Sequence, residues 1–280
     1  MHIICNFENC LKAAIFATMK KLAIVGCGYL ADVVADALLN GLLPEYHLTG
    51  VYSRTAAKAE RLAARMHVAG KECKACSSMD ELLALKPDYL VEAASPAAMK
   101  ELALPTLENG TSIITLSIGA FADTAFYEKV REKATANGQR VYIASGATGG
   151  FDVLRTATLM GNATARFYNG KGVAAFRRSF LYTPEMEQQN KVVFTGTARE
   201  AINTFPTGLN VAVAASLATV GPEQLQVTME STPAFTGDRQ RVEIENEQVH
   251  AVVDVFSATS EIAAWSVVAT LQNIVAPIVF

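Results

Sequence analysis

The sequence predicts an α/β fold: a doubly wound parallel sheet joined to a second, α+β domain whose sheet is mostly antiparallel. Three observations predict it. A short apolar run, a glycine pair and an amphipathic stretch follow one another over residues 22–39. Apolar runs and helical stretches then alternate to about residue 150, each break falling on Gly or Pro. Past that point come runs rich in β-branched and aromatic residues with a period of two.

The first element is the apolar run Leu22-Ala-Ile-Val25, of the kind that forms a buried parallel strand. Gly26 and Gly28 follow at once, and from Tyr29 apolar residues recur at helical spacing up to Asn40-Gly41. Strand, tight turn and helix in that order let Gly26 make the turn and Gly28 admit a pyrophosphate close to the backbone. Ala31 supplies the third small position, where helix packs on strand. The helix start, at Tyr29 and Leu30, offers free N–H groups to phosphate. A glycine pair alone is weak evidence, but here both flanks are right, so the segment reads as the opening of a Rossmann-type dinucleotide site.

Residues 48–52 read as the next strand, ending in Ser53-Arg54-Thr55. An NAD-selective site places an acid near this strand end to hold the ribose 2′-hydroxyl, and none stands here. Ser53 and Arg54 suit a 2′-phosphate instead, which points to NADP or NAD as cofactor; the alternative is that Arg54 stacks on adenine or faces solvent. Residues 56–66 are helical, and Ser78 with Glu81 forms a capping pattern before another helix. Residues 89–96 read as a strand that stops at a small-residue loop, where an open parallel sheet binds ligand, making Ala94 and Ser95 candidates. Glu92 is either a ribose or nicotinamide contact or a satisfied strand-end acid. A helix over 99–109 and a strand over 112–117 lead into a loop bearing Ala120. A helix over 124–136 and a strand over 140–144 lead into Ser145-Gly146-Ala147.

In the second half, residues 164–180 and 191–194 read as strands, and 198–203 and 210–220 as helices. Strands over 226–230, 239–245 and 249–256 follow, with Asn246-Glu247 as a hairpin tip. An apolar helix over 261–274 returns to the first domain, with Pro277 just past its end. The division expected is 19–146 for the dinucleotide domain, completed by 258–280, and 147–257 for a substrate and dimerisation domain.

Composition narrows the function. The net charge of −3 and the lack of a basic stripe argue against nucleic acid. No apolar run approaches the roughly 18 residues of a membrane span. Five cysteines without a framework suit a reducing cytoplasm. Cys73-Lys-Ala-Cys76 is one Cys-x-x-Cys in an expected loop; with only His67 near it, no metal site is expected. Residues 1–18 precede Met19-Lys-Lys, which reads like a natural start. That segment lacks a basic n-region, so it reads as an appended piece rather than a secretory signal.

With these elements in place, the sequence resembles the L-aspartate dehydrogenase family. The resemblance rests on Val91-Glu-Ala-Ala-Ser-Pro96, Ser117-Ile-Gly-Ala-Phe-Ala-Asp123 and Ile143-Ala-Ser-Gly-Ala-Thr-Gly-Gly-Phe-Asp152. It rests also on Phe194-Thr-Gly-Thr-Ala-Arg-Glu-Ala201 and the Phe205-Pro-x-x-x-Asn210-Val-Ala212 that follows. The resemblance implies NAD(P)-dependent interconversion of aspartate with iminoaspartate or oxaloacetate. It implies cofactor contacts on the glycine loop, on Ser145-Gly146-Ala147 and on Asn210, whose alternative is a helix N-cap. Two departures stand out. Gln240 occupies the position of the family's histidine, and glutamine cannot exchange a proton at neutral pH. Ser257-Ala-Thr-Ser-Glu261-Ile replaces a lysine-bearing stretch. Lys171 keeps the family's lysine, with Gly172 in place of a proline, so Asp238 and Lys171 become the candidate proton carriers. His250 reads as a surface residue. The open alternative is a dinucleotide-binding protein without catalysis. A sugar-type dehydrogenase ranks last, because the expected Glu-Lys-Pro turn reads Glu92-Ala-Ala-Ser-Pro96 here.

Overall fold

The computed structural model describes residues 19–177, 179–205 and 209–280, and the expectation for residues 1–18 lies outside them. The first sheet contains β1 (Lys20–Val25), β2 (Tyr46–Tyr52), β3 (Lys74–Cys76), β4 (Tyr89–Glu92), β5 (Ser112–Thr115) and β6 (Val141–Ile143). Every neighbouring pair is parallel, in the order β3-β2-β1-β4-β5-β6. The chain steps outward from β1 to β3, then crosses to β4 on the other side. The crevice where the order reverses therefore opens beyond the carboxyl ends of β1 and β4. Helices α1 (Tyr29–Leu39), α2 (Ala56–Val68), α3 (Met79–Ala84), α4 (Pro96–Glu108) and α5 (Thr124–Ala136) connect the strands. With both faces covered, Leu22, Ala23 and Ile24 of β1 are wholly buried.

In this half three elements differ from expectation. The strand expected over 89–96 stops at Glu92. The Cys73–Cys76 segment is not a loop: residues 74–76 form edge strand β3, paired with residues 50–52 of β2. Three residues, running from exposed Lys74 to buried Cys76, leave no apolar run to read. Helix α4 starts at Pro96 rather than residue 99, because the Ser95 hydroxyl accepts from the Ala98 N–H and proline fits the first helical turn.

The second sheet contains β7 (Thr164–Gly172), β8 (Lys191–Thr197), β9 (Gln226–Thr232), β10 (Asp238–Glu245) and β11 (His250–Ser257), in the order β11-β10-β7-β9-β8. All its pairs are antiparallel except β7 with β9. The strand expected as far as residue 180 stops at Gly172, and short 3₁₀ turns follow at Val173–Ala175 and Pro184–Glu187. Helix α6 (Phe151–Leu159), unforeseen from the sequence, opens this half; α7 (Ala198–Thr204) and α8 (Asn210–Ala218) follow. Thr197 and Glu200 close a full capping box on α7.

One sheet face carries Phe167, Val227, Val242 and Ile244, buried in one cluster with Ala212 and Val213 of α8 and Phe121 of the first half. The other face is uncovered. Helix α9 (Glu261–Val275) returns to the first sheet: Ala264, Val267 and Leu271 are buried in one cluster with Val34 and Leu38 of α1. The Tyr46 hydroxyl donates to the Leu271 carbonyl at 2.7 Å.

Candidate functional site

The glycine loop shows what each glycine is for. Gly26 has φ +92°, and a Cβ there would lie 2.6 Å from the Ala93 carbonyl carbon and oxygen. Only glycine lets the turn after β1 lie against the loop after β4. Gly28, at the N-cap of α1, has nothing within 4 Å of where a Cβ would stand. The space beside it is open, and the first-turn amides of Tyr29 and Leu30 have no helical carbonyl to bond. That cradle fits a pyrophosphate.

Gly26, Gly28, Ser53, Arg54 and Ala94 line a single cleft of about 500 Å³ at the β1–β4 switch. Thr55 and Lys58 line it as well and were not singled out in the sequence. Lys58 stands in the first turn of α2, four residues after Arg54, a spacing that helical periodicity makes readable. Two cations and two hydroxyls at the end of β2 suit a phosphate. Cys27 in the same loop is buried, and burial pushes its thiol up to about 11, so it is an inert spacer. The Tyr29 side chain reaches away from the cleft, its hydroxyl donating to Glu261 at the start of α9.

Glu92 is fully buried and satisfied within the fold. Its carboxylate accepts from the Ala94, Ser95 and Ser117 N–H groups and from the Thr115 and Ser117 hydroxyls. Burial raises its pKa, and the donors from Thr115, Ala94, Ser117 and Ser95 oppose the rise. Glu92 thus ties the β4 and β5 loops together, the second of its two readings. The Ser95 N–H goes to Glu92 and its hydroxyl caps α4. Ala120 lies in the 3₁₀ turn Ile118–Ala122 and lines a second cavity of about 440 Å³ with Gly119, Lys100 and Arg199.

Asn210 is not an N-cap; Leu209 holds that place. Its Oδ1 instead accepts the Gly119 N–H at 2.8 Å, which brings α8 against the loop after β5 and leaves the amide nitrogen as a donor. Ser145, Gly146 and Ala147 follow β6, where Gly146 has φ +65° and donates its N–H to Ser266 Oγ of α9 at 3.1 Å.

The second sheet contributes a polar patch at one end of its covered face. In register, Lys171 stands between Asp238 and Ser231, and on the next row Gln240 faces Asn169. Met229 completes the Gln240–Asn169 row, and the next row is apolar, with Val242, Phe167 and Val227. Lys171 Nζ lies 3.3 Å from Asp238 Oδ1, so the two candidate proton carriers are paired with each other. Asn169 and Ser231 are wholly buried and Gln240 is 5% exposed. Asn169 Oδ1, Ser231 Oγ and Gln240 Oε1 have no hydrogen-bond partner. Asn169 and Ser231 were missed in the sequence; the signal was strand alternation, which puts residue 169 on the face of 171. Gly172 also has a reason: a Cβ there would lie 1.9 Å from the Phe235 carbonyl oxygen. His250 is exposed and meets Glu243 at 3.0 Å, away from Gln240. No metal-binding cluster is found among the described residues.

Comparison with known proteins covers both halves. Residues 152–274 match the aspartate dehydrogenase C-terminal family, and residues 26–144 match the homoserine dehydrogenase NAD-binding domain. An L-aspartate dehydrogenase of Methanocaldococcus jannaschii is 29% identical, covering 93% of this chain and 98% of its own length. One from Methanococcus maripaludis is 30% identical over the same shares. The crystal structure of aspartate dehydrogenase from Thermotoga maritima superposes with a TM-score of 0.74 at 25% identity, covering 93% of this chain and 99% of that one. With the glycine cradle, the second sheet and both family matches in agreement, this chain belongs to the L-aspartate dehydrogenase family.

Proposed function

We propose that this chain is an NAD(P)-dependent dehydrogenase acting on the amine- or imine-bearing carbon of a small amino or oxo acid. The observation that carries the reading is the presence of two surfaces on halves joined through the Asn210–Gly119 hydrogen bond. One is the pyrophosphate cradle at Gly28; the other is the polar patch of Lys171, Asp238, Gln240, Asn169 and Ser231 on the second sheet. Bound NAD(P) supplies or accepts the hydride at its nicotinamide. The protein holds and orients the substrate and moves its proton. In oxidation the substrate carbon gives up hydride, its nitrogen gives up a proton, and water then displaces ammonia. Gln240 can orient the water but cannot take that proton, so the role falls to the Lys171–Asp238 pair beside it. Asn210, held by Gly119, offers its amide nitrogen to the nicotinamide carboxamide. Because both family halves and the cradle are intact, the reading without catalysis has no support in this chain.

The finer assignments belong to the same proposal. Ser53, Arg54, Thr55 and Lys58 favour NADP over NAD. A reducing cytoplasm is the proposed location, which suits Cys27, Cys73 and Cys76, free and buried among the described residues. Among the described residues no helix is long and apolar enough to cross a membrane. A homodimer through the open sheet face is the proposed assembly.

The test is turnover of NADPH and NADH with oxaloacetate plus ammonia, followed by loss of the reduced-nicotinamide absorbance. Turnover, faster with NADPH, is expected. Tight coenzyme binding without turnover on any 2-oxo acid would refute the activity, and no coenzyme binding in calorimetry would refute the site.

A further inference from the structure

Resting on the dehydrogenase reading above, we propose that Asn169, Ser231 and Gln240 form the subsite for the substrate's nitrogen, an ammonium, amine or iminium whose N–H groups meet three acceptors. The three side chains lie on adjacent strands of one face, Gln240 directly opposite Asn169 and Ser231 one row away beside Lys171. Gln240 and Asn169, directly opposed, have Cβ atoms about 5 Å apart, and Ser231, diagonal to Asn169, stands about 7–8 Å from it. All three are more than nine-tenths buried, and each has an oxygen without a partner. Buried acceptors left unmade are costly, so a sheet that keeps three of them together is built around a donor.

The chemistry of that donor follows from the atoms. Asn169 Nδ2 donates to the Arg239 carbonyl at 3.2 Å, which fixes Oδ1 as the atom turned to the subsite. A carboxylate would set its lone pairs against those of Asn169 Oδ1 and Gln240 Oε1 there. An ammonium or iminium brings only donors, which three oxygens accept. Lys171, the cation paired in register with Ser231, is held by Asp238 on the neighbouring strand and keeps further donors for the substrate's acidic group. Nitrogen and carboxylate ends are thereby sorted to adjacent rows of one sheet face. A site that buries acceptors for an N–H group discriminates strongly against a ligand lacking it.

The experiment uses the full chain with NADPH and oxaloacetate, varying ammonium chloride. In Asn169→Leu, and separately in Ser231→Ala, the KM for ammonia is expected to rise roughly tenfold to a hundredfold. The KM values for NADPH and oxaloacetate should stay within about twofold. Unchanged ammonia KM, or three KM values rising together, overturns the subsite. NADPH fluorescence establishes that each variant is folded; if Asn169→Leu is not, Ser231→Ala decides. Should the parent chain show no turnover, the dehydrogenase reading fails and a binding measurement judges the subsite alone. The side-chain amide resonances of Asn169 in the NADPH-saturated protein should move with ammonium chloride and not with tetramethylammonium chloride. No movement, or equal movement with both salts, removes the proposal.

Discussion

Gly26 and Gly28 look alike in the sequence and serve opposite ends. Gly26 is surrounded by the Ala93–Ala94 backbone, so Gly26→Ala forces both a strained φ and a backbone clash. Gly28 borders open space, so Gly28→Ala leaves the fold alone and fills the pyrophosphate cradle. Urea unfolding should show a loss of about 2 kcal/mol or more for Gly26→Ala and almost none for Gly28→Ala. Calorimetry should show at least a tenfold weaker coenzyme affinity for the folded Gly28→Ala variant. Gln240 carries a second contrast. Gln240→His supplies a titratable group on the row next to the Lys171–Asp238 pair. Because the Lys171–Asp238 pair carries the proton, kcat for aspartate oxidation should stay within about threefold of the parent. A gain on the order of 10²–10⁴, the contribution of an acid–base group, would mean that the pair does not carry it.

At the level of elements, Gly172 ends β7 where the segment between β9 and β10 closes over it. Gly172→Ala would drive Phe235 and its neighbours outward, with an expected loss of about 1–3 kcal/mol in urea unfolding; an unchanged midpoint would show that the segment yields freely. How far the elements were readable follows from the same local physics. Apolar runs bounded by glycine or proline announced β1, β4 and β5, and Ser78 with Glu81 announced α3, because each signal lies within a few residues of the element it marks. β3 escaped because three residues pairing on one side carry no period. Helix α6 escaped because its glycine-rich approach reads as loop. The candidate site divided the same way. The glycine loop and the Ser53-Arg54 corner are contiguous in sequence, whereas the Asn169–Gln240 row and the Asn210–Gly119 contact exist only through pairing of distant segments.

For the molecule as a whole, acid should weaken the fold, and the sign follows from its ion pairs. Lys74 holds Glu81 down to about 2, Lys100 lowers Asp123, His250 lowers Glu243 and Arg239 lowers Asp254. A carboxylate lowered in the folded state stabilises above its unfolded pKa, near 4 to about 4.5, and loses that contribution as pH falls through the folded value. Glu92, raised by burial, runs the other way and favours the fold most when protonated. The urea midpoint should therefore decline between about pH 5 and pH 3; a flat profile would show that these exposed pairs are screened. On the uncovered sheet face Val252 is 41% and Phe256 58% exposed, which suits a partner. Phe256→Asp should convert a dimer to a monomer in light scattering, and a parent chain already monomeric would dismiss that interface. The return of α9 to cover α1 has a further consequence, for biosynthesis. The coenzyme half opens at the beginning of the described chain but is roofed by its last turns, with Leu271 sealed against Tyr46. During translation that half must wait, its apolar roofline uncovered, until helix α9 has left the ribosome. A premature stop before residue 261 would forfeit the coenzyme, although every glycine that cradles it had already been made.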